Sequence, residues 1–317
     1  MEVPFQAMVR KVGSLLTPER SVWPVSDVEV LANGELRVVG TGNGWAYEGV
    51  KLQAQDGASW LVATGRPQLT APPVPNPEFL LSLIHSVTHP IQWDRPDESV
   101  SATAAYKWCT QYGLPVVEAV DPADGRRPKL SLSFFQRETL TLALLSRVWV
   151  ALIYRNKDEL AHYPPQLWKA CASQCRGAPD YRRAAMIEEA ALIATYSPTE
   201  REESAKRCIK TLLDERLGRV KLTFAWGDPT PRLHLEAGSL FDIAYVQMAS
   251  LLTKPDDEST DYRMQHIKVC NNCGDLISGH GNRRHCLRPH CDRRAEHRRK
   301  MAQRKAASAR PKQAKSL

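Results

Sequence analysis

The chain has 317 residues, of which 43% are apolar and 25% charged. These proportions exclude a wholly disordered chain, a collagen-like repeat and a small disulfide scaffold, and the length suits about two domains of roughly 150 residues. The formal net charge of +8 is distributed unevenly: residues 1–265 carry 29 basic and 32 acidic side chains, residues 266–317 carry 14 and 3.

Residues 1–65 read as a small antiparallel β domain. Asp27–Leu31 and Glu35–Val39 flank Asn33-Gly34, the strongest short hairpin signal, and Trp45–Leu52 and Ser59–Ala63 continue the pattern. Residues 66–77 hold five prolines between Pro67 and Pro77, which excludes a helix or a central strand and predicts a linker and a domain boundary. Residues 78–262 read as a mainly α-helical domain. Leu80, Leu81, Leu83, Ile84 and Val87 keep one helix face apolar. Leu140–Tyr154 is a buried helix, shorter than the ~20 apolar residues of a membrane span and interrupted by Arg147. Tyr181–Tyr196 is amphipathic, with Glu188 and Glu189 outward. Pro164-Pro165, Gly177-Ala178-Pro179 and a loop at Asp121–Pro128 punctuate the helices. Val220–Phe224 and Arg232–Glu236 form a second hairpin around Gly227–Thr230, and Ser239–Leu252 returns to helical spacing. The N-terminus lacks the apolar run of a secretory signal, so the expectation is a cytoplasmic protein with no membrane partner. Residues 307–317, rich in Ala, Lys, Ser and Pro, are expected to be disordered.

Eight cysteines divide as sharply as the charge. Cys109, Cys171, Cys175 and Cys208 are scattered; Cys270, Cys273, Cys286 and Cys291 follow a Cys-x2-Cys-x12-Cys-x4-Cys spacing. Clustered cysteines in a cytosolic chain indicate metal before disulfide. A two-residue gap brings both sulfurs to one side of a knuckle, and Gly274 permits the turn. Pro289 and Asp292 mark a helix start, whose dipole is expected to lower the pKa of Cys291. Four thiolates complete a tetrahedron with no open position, the arrangement of one structural Zn2+ per chain. Four unrelated thiols, an iron–sulfur cluster, and replacement of one ligand by His280, His285, His290 or His297 are the alternatives. The intervening Asn271–Arg284 is read as polar and coreless without the metal.

The segment Cys270–Arg304 resembles the CGNR zinc finger proteins. Arg283-Arg284-His285-Cys286 stands at the family's basic and aromatic stretch, with His285 in place of the usual Trp, and Cys291-Asp292-Arg293-Arg294 stands at the naming motif, agreeing at Cys291 and Arg294. The hairpin and helix of Val220–Leu252 also resemble the end of the domain that often precedes this finger. The resemblance implies a bacterial transcription regulator: a treble-clef-like finger with a basic helix (266–306) following a regulatory domain that senses a small-molecule effector.

The basic residues sharpen that expectation. Arg283, Arg284, Arg288 and Arg293 are close enough in sequence to balance the thiolates or to contact phosphate. Arg298, Arg299, Lys300, Arg304 and Lys305 are not explained by balance, and the helix from Asp292 offers only Ala295, Met301 and Ala302 as apolar residues. A helix basic on nearly every side calls for a polyanion, and zinc-stapled helices of this kind enter the major groove or follow phosphates. The expected nucleic-acid contacts are Arg283, Arg284, Arg293, Arg294, Arg298, Arg299, Lys300 and Arg304, with Arg293 or Arg294 reading base edges. Duplex DNA is the first expectation; RNA, or an enzyme whose finger positions a nucleic acid substrate, are the alternatives. No phosphate-cradling Gly loop, His-Glu-x-x-His or nucleophile elbow appears, so no catalytic residue is assigned. Cys171 and Cys175, the pair Glu188-Glu189, and Trp93, Trp108, Trp149 and Trp168 read as plain thiols, a solvated helix face and core packing. The fold class expected is α+β.

Overall fold

A computed structural model describes residues 27–30, 36–39, 47–67, 78–88, 91–116, 119–121, 127–174, 179–226, 231–236, 239–252, 267–270, 273–278, 285–286, 291, 297 and 300–301. The chain mixes helix and sheet and divides into two compact units, Met1–Gln265 and His266–Leu317. The division falls where the charge changes sign.

In the first unit, β1 (Asp27–Val30) and β2 (Leu36–Val39) pair as the Asn33-Gly34 signal predicts. A second hairpin joins β3 (Tyr47–Gln55) to β4 (Ala58–Pro67), and its two turn residues, Asp56 and Gly57, have φ of 52° and 75°. Two left-handed residues in a row match the right-handed twist of the strands they connect, which is why Asp-Gly suits the position. These strands do not form a domain of their own. β1 pairs antiparallel with β8 (Pro231–Glu236), which pairs with β7 (Lys221–Trp226), giving the order β2-β1-β8-β7. β4 pairs with β6 (Arg127–Ser131) and β6 with β5 (Ala119–Asp121), giving β3-β4-β6-β5. The expected boundary at 66–77 is therefore corrected. Residues 66 and 67 belong to β4, 68–77 lie outside the described residues, and both sheets are completed by strands from beyond the prolines. The physical reason is that a lone hairpin is marginal in water and needs further strands and a covered face.

Helices cover the second sheet. Leu61, Val62 and Ala63, consecutive on β4, are all buried, so the strand is covered on both faces. α1 (Glu78–His85), α2 (Pro96–Ser99) and α3 (Ala102–Tyr112) lead to α4 (Leu132–Ile153), which packs on α1, α2, α3 and the sheet. Sixteen of the 22 residues of α4 are buried, charged Glu138 and Arg147 among them. α5 (Lys157–Gln174), α6 (Asp180–Leu192), a 3-10 turn (Ile193–Thr195), α7 (Pro198–Leu217) and α8 (Leu240–Leu252) complete the unit.

Three readings change here. Asp121, Arg127 and Pro128, expected in a loop, belong to β5 and β6, and 122–126 lie outside the described residues. Pro164 and Pro165 sit inside α5 instead of ending it; burial of Leu160, Tyr163, Leu167 and Trp168 holds the helix despite two missing N–H donors. Glu189 does not point into solvent: it accepts hydrogen bonds from Ser204 (2.7 Å), Arg207 (2.6 Å) and Tyr196 (3.1 Å). Burial pushes its carboxyl up, but these donors together outweigh that and hold it below the usual glutamate value. The tryptophans do pack: Trp93, Trp108 and Trp168 are buried, Trp149 half-buried, and the indole N–H groups of Trp108 and Trp168 donate to Ser82 and Ser204.

Candidate metal centre

The second unit is built on a short hairpin, β9 (Ile267–Val269) and β10 (Leu276–Ser278). Its turn carries Cys270 and Cys273. The Gly274 N–H donates to the Cys270 carbonyl at 2.8 Å, and the Cys270 N–H donates to the Asp275 carbonyl at 2.8 Å, which closes the knuckle. Gly274 has a φ of 73°, a left-handed conformation that suits glycine in the turn it was expected to permit. Cys286 and Cys291 arrive from the distal side, Cys291 in helical conformation, and the Cys286 N–H points at the Cys270 sulfur at 3.3 Å.

The four Sγ atoms lie within 4.8 Å of one another, with Cys270–Cys291 at 3.9 Å and Cys273–Cys286 at 3.6 Å. A tetrahedron with metal–sulfur bonds of about 2.3 Å has sulfur–sulfur edges of about 3.8 Å. The donor set thus fits one metal ion, and all four ligands expected from the spacing meet. Cys270, Cys286 and Cys291 are buried and Cys273 half-buried. Burial pushes the thiols of Cys273 and Cys291 up. That of Cys291 goes to about 12, burial being reinforced by the hydrogen bond with Cys286. The direction is opposite to the lowering expected from the helix start, because burial raises a thiol. Four such thiols become thiolates together only against a cation. The segment is also less coreless than its composition predicts: Ile277 is buried with Cys270, Cys286 and Cys291, and Leu276 is buried beside it.

Of the expected nucleic-acid residues, Lys300 is described: it is exposed and helical, as are His297 and Met301. Arg283, Arg284, Arg293, Arg294, Arg298, Arg299 and Arg304 lie outside the described residues, as do His280, His290 and the tail. Cys175 does too, so the pair Cys171–Cys175 is not seen; Cys171 instead faces Cys208 of α7, sulfurs 3.8 Å apart.

The first unit holds a polar cluster that sequence reading missed. Arg216 of α7 grips Glu138 of α4 through both carboxylate oxygens, one at 2.7 Å, and its Nε donates to Gln174 at 3.2 Å. Tyr245 of α8 donates to Glu138 at 3.5 Å, and its ring lies 4.8 Å from the guanidinium. Gln174 donates in turn to Thr141 at 2.7 Å. All these residues are buried. Burial raises the Glu138 carboxyl more than Arg216 lowers it. A charge within an apolar run was the available signal at Arg147; Glu138, in the polar run Gln136–Thr139, carried none of that kind.

Compared with known proteins, the chain matches no family model, no curated protein and no solved structure. No described helix is long and apolar enough to cross a membrane.

Proposed function

We propose that residues 266–317 form a structural zinc module that presents a basic helix to nucleic acid, duplex DNA first, with residues 1–265 as the regulatory body of a transcription regulator. The observation that carries this reading is a closed four-sulfur set within a unit holding 14 basic and 3 acidic residues. Zn2+ at Cys270, Cys273, Cys286 and Cys291 supplies coordination, with every position filled by protein and none left for substrate. Together with its four thiolates it carries a net charge of about −2, too little to occupy the whole basic complement. Zinc rather than iron–sulfur is favoured by sulfur spacings that suit one ion.

The geometry of the helix supports a polyanion partner. His297, Lys300 and Met301, at helical steps of three and four, are exposed, so this row is not spent on a core. In sequence, Arg293, Arg294 and Arg304 stand at the same steps from His297 and Lys300. The resemblance to the CGNR finger agrees with this use, and a small-molecule effector for the body belongs to the same proposal.

The test is a salt titration of the full chain on matched and scrambled duplexes and on structured RNA. Affinity is expected to fall with a log–log slope near −0.9 per neutralised phosphate, and Arg298→Ala with Arg299→Ala to make it shallower by about two units. Arg294→Ala is expected to cost about 1–3 kcal/mol at a single base position. Binding indifferent to salt, or equal binding by a chain lacking residues 292–317, overturns the reading. Preference for structured RNA replaces DNA with RNA.

A further inference from the structure

Among the described residues, cysteine sulfurs meet in two places, and access to solvent separates them. Cys171 of α5 faces Cys208 of α7 with sulfurs 3.8 Å apart, and both residues are 0% exposed. In the metal centre Cys273 faces Cys286 with sulfurs 3.6 Å apart. Cys270, Cys286 and Cys291 are at most 1% exposed there, whereas Cys273 is only half-buried. The hairpin explains the difference. Cys270 follows β9 directly and is buried with Ile277 of β10, while Cys273 lies in the turn between the strands and packs against that cluster from outside.

Exposure matters because of what a metal does to a thiol. A coordinating cysteine is deprotonated outright, and thiolate character combined with access to solvent sets susceptibility to peroxide. Zn2+ has no redox chemistry of its own, so electrons given to an oxidant at this centre come from sulfur. Cys171 and Cys208 have the spacing without the access. Cys273 has both, and a second sulfur stands ready to resolve its oxidised form.

We infer that Cys273 is a peroxide-sensitive modification site, whose oxidation ends in a Cys273–Cys286 disulfide and releases the metal. The inference rests on the zinc reading of this centre and not on its nucleic-acid partner. The Cys273 thiolate attacks one oxygen of hydrogen peroxide; the O–O bond breaks, leaving a sulfenic acid and hydroxide. The Cys286 thiolate then attacks the Cys273 sulfur and expels a second hydroxide as the S–S bond forms. Two thiolates and one peroxide thus become one disulfide and two hydroxides, with two electrons passed from sulfur to oxygen. Cys270 and Cys291 remain, half of a donor set in which a structural ion needs all four positions filled.

The experiment measures zinc per chain in the full protein, then adds hydrogen peroxide and follows metal release with a chromogenic chelator against a peroxide-free control. Peptides are mapped by mass afterwards. Release is expected to accompany a Cys273–Cys286 link, with Cys171 and Cys208 left unlinked, and dithiothreitol with Zn2+ is expected to restore the loaded state. Cys273→His keeps a zinc ligand that has no sulfur to oxidise, so its release is expected to be about tenfold slower. If that variant does not hold metal, the peptide map of the parent decides. A chain that carries no Zn2+ overturns the zinc reading and the inference with it. A loaded chain that keeps its metal in peroxide, or whose first link joins other sulfurs, overturns the inference alone.

Discussion

The two units reach the same end, a fixed arrangement of side chains, by opposite means. The first buries apolar area continuously, from Leu61 in its second sheet through Leu140, Leu144 and Val148 of α4 to Tyr245 of α8, and it tolerates the charged pair Glu138–Arg216 inside. The second has Ile277 and Leu276 beside three buried sulfurs. What area does for one, coordination must do for the other. Burial is divisible, so its loss at one position is partial; four ligands around one ion succeed or fail together.

The largest effects test that contrast directly. Cys286→Ser, or a chelator, is expected to remove the bound metal and unfold the second unit while the first keeps its helices, since apparent binding energies of structural zinc sites are about 10–16 kcal/mol. Elemental analysis and circular dichroism read the two results separately. The sign of the pH dependence follows from the raised thiols: protons compete for the sulfurs, so metal affinity falls as pH falls. The counterpart in the first unit is deletion of Met1–Pro73. It strips β1 from β8 and β4 from β6, and is expected to destabilise the helices severely while zinc per chain is unchanged.

A smaller effect tests the charged pair. Glu138→Ala leaves a buried guanidinium without its carboxylate and is expected to cost about 3–5 kcal/mol in urea unfolding. Glu138→Leu with Arg216→Met is expected to cost far less, because no charge is left stranded. Below that stands Glu189. Its carboxyl is held below the usual value, so its clasp on α7 contributes above that value and is lost as pH falls through the depressed range. Amide exchange along α6 is expected to quicken there, and Glu189→Gln to flatten the response. The smallest change is Ser197→Ala, which removes the reciprocal capping of α7 between Ser197 and Glu200 for about 1 kcal/mol, read as a shift in thermal midpoint.

What could be read from the sequence follows distance along the chain. The four ligands were legible because knuckle geometry is dictated by cysteines with two residues between them and by one glycine. Both hairpins, β1–β2 and β7–β8, were legible for a similar reason, since turn chemistry and alternation are local. Their joining through β1 and β8 was not: alternation says that a strand has a covered face, never which strand lies beside it. Glu138 and Arg216 stand 78 residues apart, and nothing near either names the other. Pro164-Pro165 misled because a local penalty was weighed without the packing of α5 that outweighs it. The thiol of Cys291 misled because a dipole is visible in sequence and burial is not.

The ladder between β1 and β8 has a consequence in time. Asp27 pairs with Glu236 and Val30 with Leu233, so an early hairpin must wait for strands made some 200 residues later. At the ~5–20 residues per second of synthesis, that wait lasts about 10–40 s, far longer than the microseconds in which a hairpin forms. Throughout it β1 is an open edge on a nascent chain, free to pair with whatever strand comes near. Closure of this sheet is therefore a late event of biogenesis, and slowing translation between the two hairpins is expected to lower the yield of folded protein before it alters anything in the finished molecule.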